Sequence, residues 1–256
     1  MTKRKVLMIT RHGLTQQRED DDVKNQSLTE QSIRDMYHQS QKALGTFVQD
    51  AGIELEGARF FIQHSPKKRA RYTGLARVAG AFRCRPAPYS HELLDQIPFI
   101  TYRAAPDERL DFEDLRLNDV ALKKHGEVEY IARWMADPAS PTYNDVRVTP
   151  FNDVVESRRP CLIEAINRLT RGEEDLGVIA THAGISEPLL TALVNSGRID
   201  APVEDIREIG GAVPREGFAL VYLDEAKAGK VYNARMVRNG VEYPVSIENL
   251  RAVSSR

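Results

Sequence analysis

The feature that most constrains the fold is an alternation of short apolar runs with longer segments of near-3.6 apolar spacing. Lys5 to Thr10 (KVLMIT) is largely apolar and stops at Arg11-His12-Gly13. A run that short, ending in glycine and polar residues, reads as a buried strand entering a loop. After a polar stretch from Arg18 to Ser27, Ser27 or Thr29 caps a helix in which Ile33, Met36, Tyr37, Leu44, Phe47 and Val48 keep helical spacing up to Gly52. Arg59 to Gln63 reads as the next strand, Ser65-Pro66 opens a second helix to about Ala81, and Pro86 to Leu94 reads as a third strand. Strand, helix, strand, helix, strand is the signature of an α/β fold with a mostly parallel central sheet.

Gln96 to Pro150 breaks the rhythm, with prolines at 98, 106, 138, 141 and 150, the only tryptophan (Trp134), and weak helical periodicity from Val120 to Met135. It reads as an insertion over the sheet edge within a single domain. The alternation then resumes: a helix from about Asp153 to Thr170, a strand from Leu176 to Thr181, a helix from Ser186 to Asn195, and a strand from Phe218 to Leu223. Lys230 to Val237 reads as a further strand, paired with the last across Ala228-Gly229.

Composition excludes several classes. Thirty-six Lys and Arg against 37 Asp and Glu give a net charge of −1, with no basic field for a nucleic-acid backbone. Cys84 and Cys161 are too few for a disulfide framework or a thiolate metal site. No apolar run approaches the ~20 residues that cross a bilayer. Lys3-Arg4-Lys5 resembles the start of a signal peptide, but Arg11 ends the apolar run below the ~7 residues of such a segment. A cytoplasmic protein without nucleic-acid or membrane partners is expected.

Three segments follow apolar strands: Thr10-Arg11-His12-Gly13, Ser65-Pro66-Lys67-Lys68-Arg69-Ala70 and Thr181-His182-Ala183-Gly184. Singly, each is an ordinary turn or a solvated first helical turn. Together they bring two histidines and two arginines to the strand ends, where open α/β sheets bind ligands. Arginine forks match phosphate or carboxylate oxygens, and a neutral histidine can attack phosphorus.

MITRHGLT (8–15), SLTEQS (27–32), HSPKKRARYTGLA (64–76) and IATHAGIS (179–186) together resemble the histidine phosphatase superfamily, the phosphoglycerate-mutase-like proteins. Ala183 after the second histidine, in place of aspartate, resembles the first branch of that family rather than the acid phosphatases and phytases. The resemblance implies a three-layer α/β sandwich and a metal-independent, cofactor-free phosphatase. It implies His12 as nucleophile, with Arg11, Arg69 and His182 gripping the transferring phosphoryl group. The Ala183 N–H and Thr15 hydroxyl would be further phosphate contacts. For the proton given to the leaving group, the family's Leu-x-Glu frame falls on Leu93-Leu94-Asp95, so Asp95 is the first candidate and Glu92 the second; an acid from the insertion is the third.

Departures from the family pattern carry information. Leu14, Thr15, Gln17 and Arg18 stand where mutases of the family have Glu, Ser, Trp and Asn, which favours a phosphatase over a phosphomutase. Arg18 either replaces the asparagine as a phosphate contact or points into solvent. Ser32 stands where glycine is common, and Val155-Glu156-Ser157 where the family has Gly-Glu-Ser. A non-catalytic phospho-ligand-binding protein is the remaining alternative. The expected substrate is a small phosphorylated molecule, with a phosphoprotein open. Tyr102, Arg103, Arg109, Lys123, Lys124, His125 and Arg133 of the insertion either reach that substrate or are solvated, and Trp134 or an edge strand is a candidate dimer contact.

Overall fold

A computed structural model describes residues 3–15, 27–50, 57–112, 115, 117, 119–136, 142–143, 146–225 and 231–253 of the 256. The strands are β1 (Lys3–Arg11), β2 (Phe60–His64), β3 (Ala104–Pro106), β4 (Thr142–Tyr143), β5 (Val146–Arg147), β6 (Leu176–Thr181), β7 (Phe218–Glu225), β8 (Val231–Arg238) and β9 (Val241–Pro244). The helices are α1 (Glu30–Asp50), α2 (Lys68–Ala81), α3 (His91–Asp95), α4 (Pro98–Thr101), α5 (Asp119–His125), α6 (Glu127–Ala136), α7 (Phe151–Thr170), α8 (Ser186–Gly197) and α9 (Ile247–Val253). Single 3-10 turns lie at Glu108–Leu110 and Ile206–Ile209. No helix among the described residues is long and apolar enough to cross a membrane.

The main sheet has the order β3-β2-β6-β1-β7-β8-β9. Its first four strands are parallel, and β7, β8 and β9 extend it antiparallel. Side chains alternate between the faces of a strand, and this chain uses both. Leu7, Ile9, Phe61 and Ile179 enter one core with α6, α7 and α8. Val6, Met8, Phe60, Ile62, Leu176 and Val178 enter the other with α1 and α2. The result is a three-layer sandwich. Each wholly buried Leu, Met or Phe contributes roughly 1.5–3 kcal/mol, and a one-residue register slip would send every one of them to the wrong face.

Register also makes the site. Parallel pairing sets Arg11 opposite Thr181 and His64 opposite Ala180. His12 N–H donates to Thr181 O at 3.0 Å and Ser65 N–H to Ala180 O at 3.1 Å. The three polar segments named from the sequence therefore leave the sheet side by side. After β1 and β2 the chain turns to α1 and α2 on one face, and after β6 it turns to α8 on the other. The crevice lies where those connections part.

Helix α1 starts where expected, with Thr29 Oγ1 accepting the Ser32 N–H at 3.1 Å. The third strand is not at Pro86 to Leu94. That stretch is a loop leading into α3, capped by Ser90 Oγ, which accepts the Leu93 N–H at 3.3 Å. Pro86 and Pro88 lack ladder donors, and the cap favours a helical turn. The edge strand is β3, inside the segment read as an insertion, so that segment begins by completing the sheet. Its periodic part forms α5 and α6, divided at Gly126 with φ 77°. The later strands β7 and β8 pair as expected, while Ala228-Gly229 lies outside the described residues. β9 and α9 complete the C-terminal side.

Candidate active site

His12 leaves the end of β1 with its ring fixed by its own loop. Nδ1 lies 2.8 Å from Gly13 O. A carbonyl only accepts, so Nδ1 carries the proton and a neutral ring presents a lone pair at Nε2. The ring is neutral: burial first, then the charge of Arg69, with smaller contributions from Arg11 and Arg215, bring its pKa from 6.5 to about 3, against an upward pull from the Gly13 carbonyl.

His182 follows β6 and meets His12 edge to face, ring centroids 4.9 Å apart. Its Nε2 lies 2.6 Å from Ser65 Oγ, which also accepts the Lys67 N–H at 3.2 Å. Its Nδ1 is buried and has no hydrogen-bond partner among the described residues. Burial, followed by His12, Arg69, Lys67 and Arg11, pushes its pKa well below 6.5. Arg69, in the first turn of α2, is buried and lies over the Phe112 ring at 5.6 Å. Phe112 packs on His182 at 4.7 Å, and Lys67 Nζ pairs with Asp111 Oδ2 at 3.3 Å. Thr181 Oγ1 donates to Leu110 O at 3.0 Å and so ties the Asp111-Phe112 segment to the end of β6.

Arg11 is 5% exposed, and its Nη1 donates to Val213 O at 2.8 Å and to Glu127 Oε2 at 2.7 Å. Its Nε is buried and has no hydrogen-bond partner among the described residues. A second ring of polar groups holds this anchor. Glu187, wholly buried, accepts from Val213 N at 2.9 Å, Gly184 N at 2.8 Å and Ser186 Oγ at 2.9 Å. Arg238 donates to the carbonyls of Ile209, Gly211 and Ala212 at 2.7–2.8 Å. Gly184, at φ 80°, makes the turn after His182 that lets its own N–H face Glu187. The site thus holds a neutral imidazole with a lone pair at Nε2 among buried cations, an arrangement suited to an anionic ligand.

No protein-family model and no curated protein matches the sequence. Solved structures match over nearly the whole chain. One is a mycobacterial hydrolase, 17% identical, with a TM-score of 0.53, covering 100% of this chain and 98% of that one. Another is a mycobacterial glucosyl-3-phosphoglycerate phosphatase in complex with inorganic phosphate, 15% identical, with a TM-score of 0.51 over 95% of this chain and 99% of that one. The chain has the phosphoglycerate-mutase-like fold.

Within this phosphoglycerate-mutase-like fold, Arg11, His12, Arg69 and His182 converge, and Ala183 lies in the turn between His182 and α8. Thr15 bridges to Leu28, pinning the loop after His12 to the start of α1. Arg18 lies outside the described residues. Asp95 and Glu92 do not end a strand. Asp95 closes α3, accepting from Tyr72 Oη at 2.6 Å and pairing with Arg71 at 2.9 Å. Glu92 is exposed in the first turn of α3. The frame that suggested them depended on a strand at Pro86 to Leu94, which is a loop and a helical turn. The segment after the true edge strand instead brings Asp111 to Lys67, and α6 brings Glu127 to Arg11.

The insertion residues divide. Arg109 pairs with Asp107 and Glu164, Arg133 with Glu129, Arg103 Nη1 donates to Phe60 O, and Tyr102, Lys123 and Lys124 are exposed. Trp134 is no interface residue: it is wholly buried, and its Nε1 donates to Thr149 O at 2.7 Å. Asp111, Phe112 and Glu127 are site neighbours that carried no sequence signal, since none lies in a motif or beside a strand that periodicity reveals; Arg215, just before β7, lies in no motif. Among the described residues no cluster of three His, Cys, Asp or Glu side chains is placed to hold a metal ion.

Proposed function

We propose that the chain is a histidine phosphatase: a metal-independent phosphomonoester hydrolase that works through a phosphohistidine on His12. The observation that carries this reading is the neutral His12 ring, with Nδ1–H fixed on Gly13 O and Nε2 as the attacking nitrogen, set among Arg11, Arg69 and His182. Arg11 Nε and His182 Nδ1 are buried polar atoms without partners among the described residues, and phosphoryl oxygens are acceptors that would satisfy them. The Ser65 hydroxyl, donating to His182 Nε2, leaves the proton of that ring on Nδ1 for the same purpose. These groups and Arg69 stabilise charge spread over the transferring phosphoryl, the main source of catalysis in such transfers. Water then attacks the phosphohistidine and regenerates His12.

The leaving oxygen takes its proton in this reading from Glu127, whose carboxyl lies 2.7 Å from Arg11 Nη1 and is 35% exposed. This replaces Asp95 and Glu92. The insertion then covers the pocket, and the substrate is a small phosphomonoester of the cytoplasm, a setting that agrees with two free cysteines. A mycobacterial phosphatase with the same fold supports the reaction class without naming the substrate. The test is phosphate release from an aryl phosphate and a panel of phosphorylated metabolites with EDTA present. Release from the wild type and none from His12→Ala supports the reading; turnover that depends on a bisphosphate primer would replace it with a phosphomutase.

A further inference from the structure

The hydrogen bonds that hold His12 continue beyond Gly13. The carbonyl that accepts His12 Nδ1–H and the N–H of Leu14 belong to one peptide unit, and both ends of that unit are bound. Leu14 N–H donates to Ser32 Oγ at 2.7 Å. Ser32 in turn donates its proton to Glu216 Oε1. Every donor in this sequence points the same way: imidazole to peptide carbonyl, peptide N–H to hydroxyl, hydroxyl to carboxylate. Bonds aligned in this manner polarise one another.

Glu216 is built into place. Its backbone N–H donates to His12 O at 3.4 Å, closing the circuit around Gly13. Its carbonyl accepts from Arg77 Nη2, and the wholly buried Arg77 also donates from Nε to Thr10 Oγ1 at 3.2 Å. Glu216 adopts φ 62°, a left-handed backbone that costs a residue with a Cβ and persists where surroundings enforce it. Gly13 leaves room for the arrangement, since a Cβ there would collide with Ser32 Oγ. Ser32 is thus more than a spacer.

We propose that Glu216 and Ser32 are positioning residues that act on the nucleophile through the Gly13–Leu14 peptide, as a carboxylate acts on a histidine it touches directly. The inference rests on the phosphohistidine reading. In the step concerned, Nε2 forms a bond to phosphorus as the bond from phosphorus to the leaving oxygen breaks. Nδ1 keeps its proton, and the ring gains positive charge. The polarised peptide strengthens the acceptor on Nδ1–H, which favours the charged ring and makes Nε2 a better electron donor. The carboxylate supplies negative charge without entering the crowded pocket.

The test compares wild type with Ser32→Ala, Glu216→Gln and the double variant. Glu216→Gln keeps an oxygen that accepts from Ser32, so it carries the test if Ser32→Ala lowers the melting temperature strongly. In ¹⁵N-histidine-labelled protein, the His12 Nδ1–H resonance is expected to move upfield in each variant. Phosphorylation of His12 by an aryl phosphate, followed in a single turnover, is expected to slow roughly tenfold with the Kd for the aryl phosphate within about twofold. The double variant is expected to be no slower than the slower single one. An unmoved Nδ1–H resonance in Glu216→Gln, or losses that multiply in the double variant, overturns the proposal. A wild type that forms no phosphohistidine defeats the parent reading instead, and the resonance still decides whether the carboxylate reaches the ring.

Discussion

His12 and His182 stand edge to face with ring centroids 4.9 Å apart, and both are neutral near pH 7. Each ring would repel a charge on the other, and burial first, then the cations around both, favour the neutral form. The cost falls on the apo protein, because two imidazoles are held uncharged beside arginines. A phosphate dianion reverses that field, favouring donors toward its oxygens while His12 keeps its lone pair for phosphorus.

Acid stability follows from the sign of the His12 shift. The folded pKa is about 3 and the ordinary value 6.5. Between them the unfolded chain binds a proton that the folded chain does not. Stability from this residue is complete above pH 6.5 and is lost as pH falls toward 3. At pH 5 the loss is about 2 kcal/mol. His12→Asn removes it, so urea unfolding at pH 7 and pH 5 should show the variant gaining about 2 kcal/mol relative to wild type at the lower pH.

On the proposed mechanism, Arg69→Ala removes a buried charged donor from the transferring group. Loss of one such donor typically costs 10²–10³-fold in rate, about 2.7–4 kcal/mol. Steady-state kinetics with an aryl phosphate should show kcat/KM reduced by that order, and Arg69→Lys should restore only part because a point charge lacks the planar fork.

The assignment of the acid has its own test. Glu127→Gln should slow substrates with alkyl leaving groups far more than those with an activated aryl leaving group, which depart without a proton. Asp95→Asn should leave that ratio unchanged, since Asp95 is committed to Tyr72 and Arg71. The reverse pattern would return the role to Asp95.

Glu187 bears on stability and on the Arg11 anchor. Its buried carboxylate accepts three donors from the His182 turn and the Val213 loop. Glu187→Leu takes that acceptor from the buried Gly184 and Val213 N–H groups, at about 1–3 kcal/mol each where no water reaches them, while Ser186 Oγ keeps His182 O. Thermal and urea unfolding should show a loss of several kcal/mol.

What the sequence made legible follows from local chemistry. Runs such as Val6 to Ile9 announce strands because both sheet faces are buried, and segments with Arg11, Arg69 and His182 announce a site because each leaves such a strand. The edge strand Ala104–Pro106 was hidden: it is three residues long, ends in proline and pairs on one side, so neither alternation nor an apolar run marks it. Misplacing that strand put the Leu-x-Glu frame at a strand end, whereas Leu93 to Asp95 lie in α3. Glu127 and Glu216 were illegible for a related reason, since they reach the His12 loop from α6 and from the turn before β7 through tertiary packing alone.

The most direct measurement is a rapid quench of the enzyme with a ³²P-labelled phosphomonoester in EDTA, followed by analysis of the denatured protein. An acid-labile, base-stable phosphoryl group on the peptide carrying His12, formed and discharged at rates that account for turnover and absent from His12→Ala, is the expected result. Turnover without any phosphoenzyme, or undiminished in His12→Ala, would contradict the nucleophilic role of His12.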